Sequence, residues 1–303
     1  MRIFLTGATG YVGSAVMDAL LRSGHEVTAL VRDPEKAEQV SGRGVHPVIG
    51  ELSVPASYRD AAESADSIIH AALESSKRKV NVDRQAIDTL LAAAARRVAA
   101  GLRARVVYTS GTWVLGNTSG GTEETPLDPT QFDAWRPEHE QLLLDAGRDG
   151  IRTVVIRPGV VYGGARGIVG DLLKDAANGL VRVVGAGQNH WACVYDRDLA
   201  DLYVRVATLD DAAGIFHAND EADESVDDIV AAIAQQGRMR PDVRHVPIDE
   251  ARKKMGPYAD SLALDQIVRS PRAHALGWAP TLRSVAGSVA RLFEEFRTAR
   301  AAA

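Results

Sequence analysis

One cysteine, Cys193, occurs among 303 residues, so no internal disulfide can form and no Cys partner exists for a zinc site. That scarcity is the pattern of a reducing compartment, and the chain reads as cytoplasmic. No window approaches the ~18 consecutive apolar residues of a membrane span, so no membrane partner is expected. The opening apolar run, Arg2–Thr6, is too short for a signal peptide and reads as a first strand. Net positive charge is also missing. With 35 basic against 40 acidic residues the formal charge is −5, and nothing here would neutralise a phosphate backbone, so no nucleic-acid partner is expected. His25, His46, His217, His245 and His274 show no metal-ligand spacing, and no metal site is expected. What is present is ordinary for a globular chain: 46% apolar residues for a sizeable core and 25% charged ones. The length suits about two domain equivalents of ~150 residues, or one large α/β unit.

Short β-rich runs alternate with helical patterns through the first half. Arg2–Thr6, Glu26–Val31, Val45–Ile49, Ser67–His70, Arg105–Thr109 and Thr153–Ile156 read as strands. Ala15–Leu21, Glu35–Val40 and the Ala/Leu-rich Asn81–Ala100 read as helices, the first closing at Gly24. This alternation predicts right-handed βαβ crossovers and an α/β doubly wound parallel sheet covered on both faces. Later, Gly116–Thr130 and the glycine-rich Pro158–Gly170 read as loops. Val226–Ala234 and Val285–Phe296 read as helices of a C-terminal lobe, and Ala301–Ala303 as a frayed end.

The sharpest local signal is Thr6-Gly7-Ala8-Thr9-Gly10-Tyr11-Val12-Gly13, directly after a strand and opening a helix. Glycines at 7, 10 and 13 permit a tight turn, backbone approach to a pyrophosphate and close helix packing. The unpaired N–H groups of the helix start then face the phosphates. Arg32 and Asp33 follow the second strand, before Pro34. An acid there would hold the adenosine ribose diol, and an arginine would pair with a 2′-phosphate. Asp33 also suits the N-cap of the following helix, with Pro34 at its first position. That reading frees Arg32 and favours NADP over NAD, against the competing reading of Arg32 as a solvated surface charge.

These segments resemble the short-chain dehydrogenases/reductases, in the extended or atypical branch that includes NAD-dependent epimerases and dehydratases. The likeness runs nearly end to end. It takes in Gly50-Glu51-Leu52, Ile69-His70-Ala71-Ala72, Val80-Asn81-Val82-Asp83, Arg157-Pro158-Gly159-Val160-Val161-Tyr162-Gly163, Val194–Asp201 and Leu276–Pro280. The resemblance implies a Rossmann domain over residues 1–160 with a return segment at about 190–220, and a substrate-binding lobe over 161–189 and 221–303. It implies cofactor contacts from Gly7, Thr9, Gly10, Tyr11, Val12, Gly13, Arg32, Glu51, Leu52, Ala71, Ala72, Arg136, Pro158 and Val160. A homodimer through helices Asn81–Ala100 and Asp133–Gly147 is implied as well.

One part of the family pattern is missing. Relatives carry a Ser/Thr with Tyr-x-x-x-Lys, the tyrosine serving as acid/base and the lysine holding the nicotinamide ribose. No Tyr-x-x-x-Lys occurs in this sequence. Counting back from Glu140 places Arg136 at the lysine position and Phe132 at the tyrosine position. Phenylalanine cannot transfer a proton, while arginine can hold ribose hydroxyls but is a poor proton reservoir. Alignment on Gly116 puts Gly111 where the serine stands, with Thr112 beside it as the hydroxyl to meet a substrate oxygen or simply to cap a turn. His190 is the preferred titratable candidate for catalysis, ahead of Tyr162 and of His139, which is expected at solvent. Cys193 reads as a buried small hydrophobe. The expected function is an atypical NADP-dependent oxidoreductase acting on a small carbonyl-, imine- or enone-like molecule, with Thr112, Arg136 and His190 as its catalytic set. A non-catalytic dinucleotide sensor or scaffold is the alternative from another class. A nucleotide-sugar epimerase or dehydratase is weaker, because the tyrosine is missing.

Overall fold

A computed structural model describes residues 1–236 and 241–301. The chain divides into two compact units. The first comprises Met1–Ser110, Trp135–Ile156 and Ala200–Phe216. The second comprises Gly111–Ala134, Arg157–Leu199 and His217–Ala303. No described helix is long and apolar enough to cross a membrane.

Seven strands form the main sheet in the order Gly214–Ala218, Arg152–Pro158, Arg105–Thr109, Ser67–His70, Arg2–Thr6, Glu26–Val31 and His46–Ile49. The pairings from Arg152–Pro158 to His46–Ile49 are all parallel. Their sequences are near-continuous apolar runs, as a sheet buried on both faces requires. Phe4, Ile68, Val106 and Val155 pack on Ile87, Leu90 and Leu143, which come from the long helix Lys79–Ala99 and from Arg136–Arg148. The doubly wound fold expected from the sequence is the one observed.

Helix Tyr11–Arg22 lies close on the first strand because Gly13 has no side chain. A Cβ there would stand 2.0 Å from the carbonyl oxygen of Gly7. At the end of the second strand, Lys36 N–H donates to Asp33 Oδ1 at 2.8 Å, and Pro34 begins the helix Pro34–Ser41. Asp33 is thus the N-cap.

The second unit is built from three two-stranded parallel ribbons and the helices around them. Val160–Tyr162 pairs with Cys193–Tyr195, Leu180–Val184 with Asp242–Val246, and Thr118–Gly121 with Gln266–Val268. Helices Gly167–Ala177, Val226–Gln236 and Val289–Ala301 pack on strands Val160–Tyr162, Cys193–Tyr195 and Leu180–Val184 around Leu172, Leu173, Ile229, Leu292 and Phe296.

Four expectations need correction. Pro158–Gly170 is no continuous loop: it holds the strand Val160–Tyr162 and the first turn of a helix, because a distant ribbon partner overrides its glycine content. The loop Gly116–Thr130 holds the strand Thr118–Gly121. The C-terminal helix starts at Val289, after a 3₁₀ turn at Ala286–Ser288. The helix expected from Asp133 starts at Arg136, with Pro137 in its first turn and residues 131–135 forming turns ahead of it.

Backbone packing and a buried acid each lead to a stability test. Gly13→Ala should cost about 1–3 kcal/mol by urea unfolding, since the added methyl meets fixed backbone. Gly42→Ala, at an ordinary helical φ of −61° with 3.6 Å to its nearest neighbour, should leave the midpoint unchanged or slightly raised. The acid is Asp220 of the second unit, which burial pushes up to about 7, with its bond from Ala222 N–H offsetting only part of the rise. An unfolded aspartate titrates near ~3.9, so between about pH 4 and 7 the folded chain holds a proton that the unfolded chain releases. Stability contributed by that proton is full below the lower value and lost as pH rises through the upper one. Asp220→Asn should therefore gain in urea midpoint over the parent at pH 8 and gain little at pH 4. An equal gain at both pH values would contradict this assignment.

Candidate functional site

In the first unit the sheet order reverses at Arg2–Thr6, which lies between the second and fourth strands. Thr6 and His70 end these neighbouring strands in register, and chain leaving a parallel sheet at such a point opens a crevice. Gly7 and Ala71 are the next residues. Gly7 has φ +81°, and a Cβ on it would stand 2.5 Å from the Ala71 carbonyl oxygen. Gly10 N–H donates to Gly7 O at 2.7 Å, closing the turn. Gly10 is the N-cap of the helix and brings no side chain to its first-turn N–H groups. Thr9, Gly10, Tyr11 and Val12 are half-buried, while Gly13 is fully buried beneath them. A cradle of bare backbone with helix N–H groups at its floor fits a dinucleotide pyrophosphate.

Around this cradle the expected cofactor residues divide by role. Asp33 is committed as the N-cap, and Arg32 beside it is exposed. Glu51 is exposed, with its carboxylate accepting from Ser53 Oγ at 3.2 Å. Leu52 packs from the half-buried edge and its carbonyl accepts from Tyr58. Ala71 and Ala72 line the Gly7 side.

Behind the strand ends lies a buried polar network that sequence reasoning missed. Asp83 is 3% exposed. Its Oδ2 accepts from His139 Nδ1–H at 2.7 Å and from the Tyr108 hydroxyl at 2.9 Å. Its Oδ1 accepts from His70 Nε2–H at 3.2 Å, leaving His70 Nδ1 to accept from the Thr6 hydroxyl at 2.7 Å. Burial alone would push the Asp83 carboxyl up, yet the bonds from His139, His70 and Tyr108 hold it well below the usual carboxylate range. His139, expected at solvent, is therefore a buried ligand of this carboxylate, on the helix that starts at Arg136. The signal available in sequence was His70, a polar residue between the apolar Ile69 and Ala71 at the end of a buried strand.

Arg136 heads its helix half-buried, donates from Nη1 to Thr109 O at 3.4 Å and stacks on Trp135, with Cζ 4.5 Å from the ring centroid. The Thr109 hydroxyl donates to His70 O at 2.8 Å and meets the Tyr203 hydroxyl at 2.5 Å. Ser110 follows, buried, with no hydrogen-bond partner for its Oγ among the described residues. Arg136 and Phe132 do not share a helical face, contrary to the Tyr-x-x-x-Lys register: Phe132 belongs to the second unit and precedes the helix.

In the second unit Phe132 forms an aromatic cluster, 5.2 Å from Tyr258 and 6.3 Å from Trp113 between ring centroids. Thr112 is buried and donates to Gln266 Oε1 at 3.3 Å, while Gln266 Nε2 donates to the carbonyls of Thr112 and Gly116. His190 is about one-third exposed and its Nδ1 lies 2.8 Å from Asp265 Oδ1. Burial raises Asp265, but bonds from the backbone and ring of His190 bring it below its ordinary value. Gln266 N–H donates to His190 O, so the Asp265-Gln266 pair holds both Thr112 and His190. Pro158 and Val160 are buried, with Val160 N–H bonded to Ala192 O. Tyr162 is buried and donates to Leu282 O, a packing role. Cys193 is buried and its thiol is pushed up by burial, so it is held protonated. No group of three potential metal ligands occurs among the described residues.

Comparison with known proteins places this geometry in context. Residues 3–218 match the NAD-dependent epimerase/dehydratase family. An uncharacterized protein of Schizosaccharomyces pombe is 32% identical over 290 residues, 93% of this chain and 95% of that protein. The 4-hydroxy-2-methyl-3-oxo-4-farnesyl-3,4-dihydroquinoline-1-oxide ketoreductase of Stigmatella aurantiaca is 32% identical over 170 residues, 54% of this chain and 51% of that protein. The fold is that of the UDP-glucose 4-epimerase of Thermus thermophilus, solved in complex with NAD, with a TM-score of 0.81, 20% identity and coverage of 99% and 100% of the two chains. On its sequence match and its fold, the chain belongs to the NAD-dependent epimerase/dehydratase family.

Proposed function

We propose that the protein is an NADPH-dependent reductase of a small carbonyl-, imine- or enone-like substrate, with the second unit receiving that substrate. The observation that carries this reading is the tight backbone turn at Gly7 and Gly10, where an added Cβ would meet the carbonyl oxygens of Ala71 at 2.5 Å and Gly7 at 3.0 Å, so that only backbone stands at the start of the helix, as a pyrophosphate site needs. Arg32 supports NADPH over NADH, because the neighbouring acid is already spent on the helix N-cap. When bound, the dinucleotide supplies a hydride.

The chain's own residues do the rest. The first-turn N–H groups after Gly10 take the phosphates, and Arg32 pairs with the 2′-phosphate. Arg136, steadied on Trp135 and Thr109, holds ribose hydroxyls, and Ser110 offers its buried hydroxyl at the end of the same strand. His190, oriented by Asp265, and Thr112, tied to the neighbouring Gln266, are the polar groups of the second unit proposed to serve proton transfer. One-way reduction suits a site without the tyrosine. Epimerisation and dehydration need an acid/base that acts in both directions, and Phe132 cannot do so. The Stigmatella ketoreductase supports the same reaction class.

Calorimetric titration tests the cofactor assignment. Arg32→Ala should weaken NADPH by ~1.5–3 kcal/mol, the range for a hydrogen bond to a charged group, and leave NADH nearly unchanged. Equal affinity of the parent for both dinucleotides would overturn the preference. Arg136→Ala should weaken either cofactor by roughly 1–2 kcal/mol. A carbonyl panel followed by loss of NADPH absorbance tests the reaction. Tight cofactor binding with no turnover on any member would shift the reading to a dinucleotide sensor.

A further inference from the structure

The second unit holds a partly open cavity of about 280 Å³. Its walls come from helix Gly167–Ala177 (Leu172), strands Leu180–Val184 (Val183) and Asp242–Val246 (Val246), and the short helix Tyr258–Leu262 (Tyr258). No motif announces it, because its lining is drawn from separated segments of the chain.

We propose that this cavity binds an uncharged, largely hydrocarbon ketone, its chain on the apolar walls and its oxygen at the Tyr258 hydroxyl. The proposal rests on the reductase reading and names the substrate class for it. Three features of the lining select this class. Four charged residues reach the cavity, Asp171, Asp175, Arg182 and Lys254, and their charges cancel. Both cations have acidic neighbours, Arg182 facing Asp175 at 4.0 Å and Lys254 bound to Glu250 at 3.1 Å. A phosphate or carboxylate entering here would find no net positive field.

The second feature is Trp191. Its indole N–H donates to Leu262 O at 3.0 Å, so it presents only ring surface to the cavity and no donor for the edge of a nucleobase. The third is Tyr258. Its ring packs on Phe132 and Trp113, while its hydroxyl makes no hydrogen bond to the described residues. Burial, with Asp171 and Asp133 nearby, pushes that phenol up and keeps it protonated as a donor. A cavity of this size lies near the low end for small-molecule sites, ~300 Å³, and suits a short chain rather than a nucleotide sugar.

The test is calorimetric titration of the whole protein, free of dinucleotide, with 2-decanone and with UDP-glucose as separate probes. Saturable binding of 2-decanone, and none of UDP-glucose, is the expected result. Val184→Trp, on a half-buried wall position, should abolish ketone binding by filling the cavity. Tyr258→Phe, nearly isosteric and expected to fold, should weaken it about three- to tenfold through loss of one neutral hydrogen bond. Binding of UDP-glucose in preference to the ketone would overturn the proposal, as would ketone binding untouched by both variants. A ketone that binds but is not reduced with NADPH present would leave the cavity assignment standing and count against the reductase reading alone.

Discussion

A carboxylate buried without partners is costly, and Asp83 avoids that cost only while three donors stand around it. Those donors come from separate elements: His70 from the fourth strand, Tyr108 from the fifth and His139 from the helix headed by Arg136. Thr6 joins through His70 from the first strand. Each lies close in sequence to a residue assigned to the dinucleotide crevice, Thr6 before Gly7, His70 before Ala71, Tyr108 two before Ser110, and His139 one turn after Arg136. Displacing any one of these elements would cost the buried charge a donor, so the network ties the strand ends to one another. The residues proposed to hold the dinucleotide inherit that rigidity although none of them belongs to the network.

The parts of the fold set by local chemistry could be read from the residues alone. Strands Arg2–Thr6, Glu26–Val31, Ser67–His70 and Arg105–Thr109 appear with the limits their apolar runs imply. Asp33 caps its helix because Asp-Pro is a local device that needs no distant partner. What could not be read depended on long-range pairing. Val160–Tyr162 is too short to declare itself as a strand until Cys193–Tyr195 lies beside it, and Thr118–Gly121 waits on Gln266–Val268. His139 looked like a surface histidine because its partner stands 56 positions away. The Gln266 side chain that holds Thr112 is 154 positions distant and carries no motif.

The segment around Phe132 and Arg136 shows the same division within a few residues. From Trp135 to Ile156 the chain belongs to the first unit, with Arg136 tied to Trp135 and Thr109. Phe132 belongs to the second unit and is held by Trp113 and Tyr258. The helical register that would join the two positions is absent, since turns occupy residues 131–135 and the helix begins only at Arg136. A tyrosine at 132 would therefore not recover the usual pair merely by its spacing, because its ring would pack with an aromatic cluster rather than stand one turn before Arg136. On the proposed reductase reading, Phe132 and the turn that holds it leave proton delivery to other groups. On that reading, the polar groups of the second unit available for it are held by contacts distant in sequence: His190 on Asp265, and the phenol of Tyr258 beside the ring of Phe132.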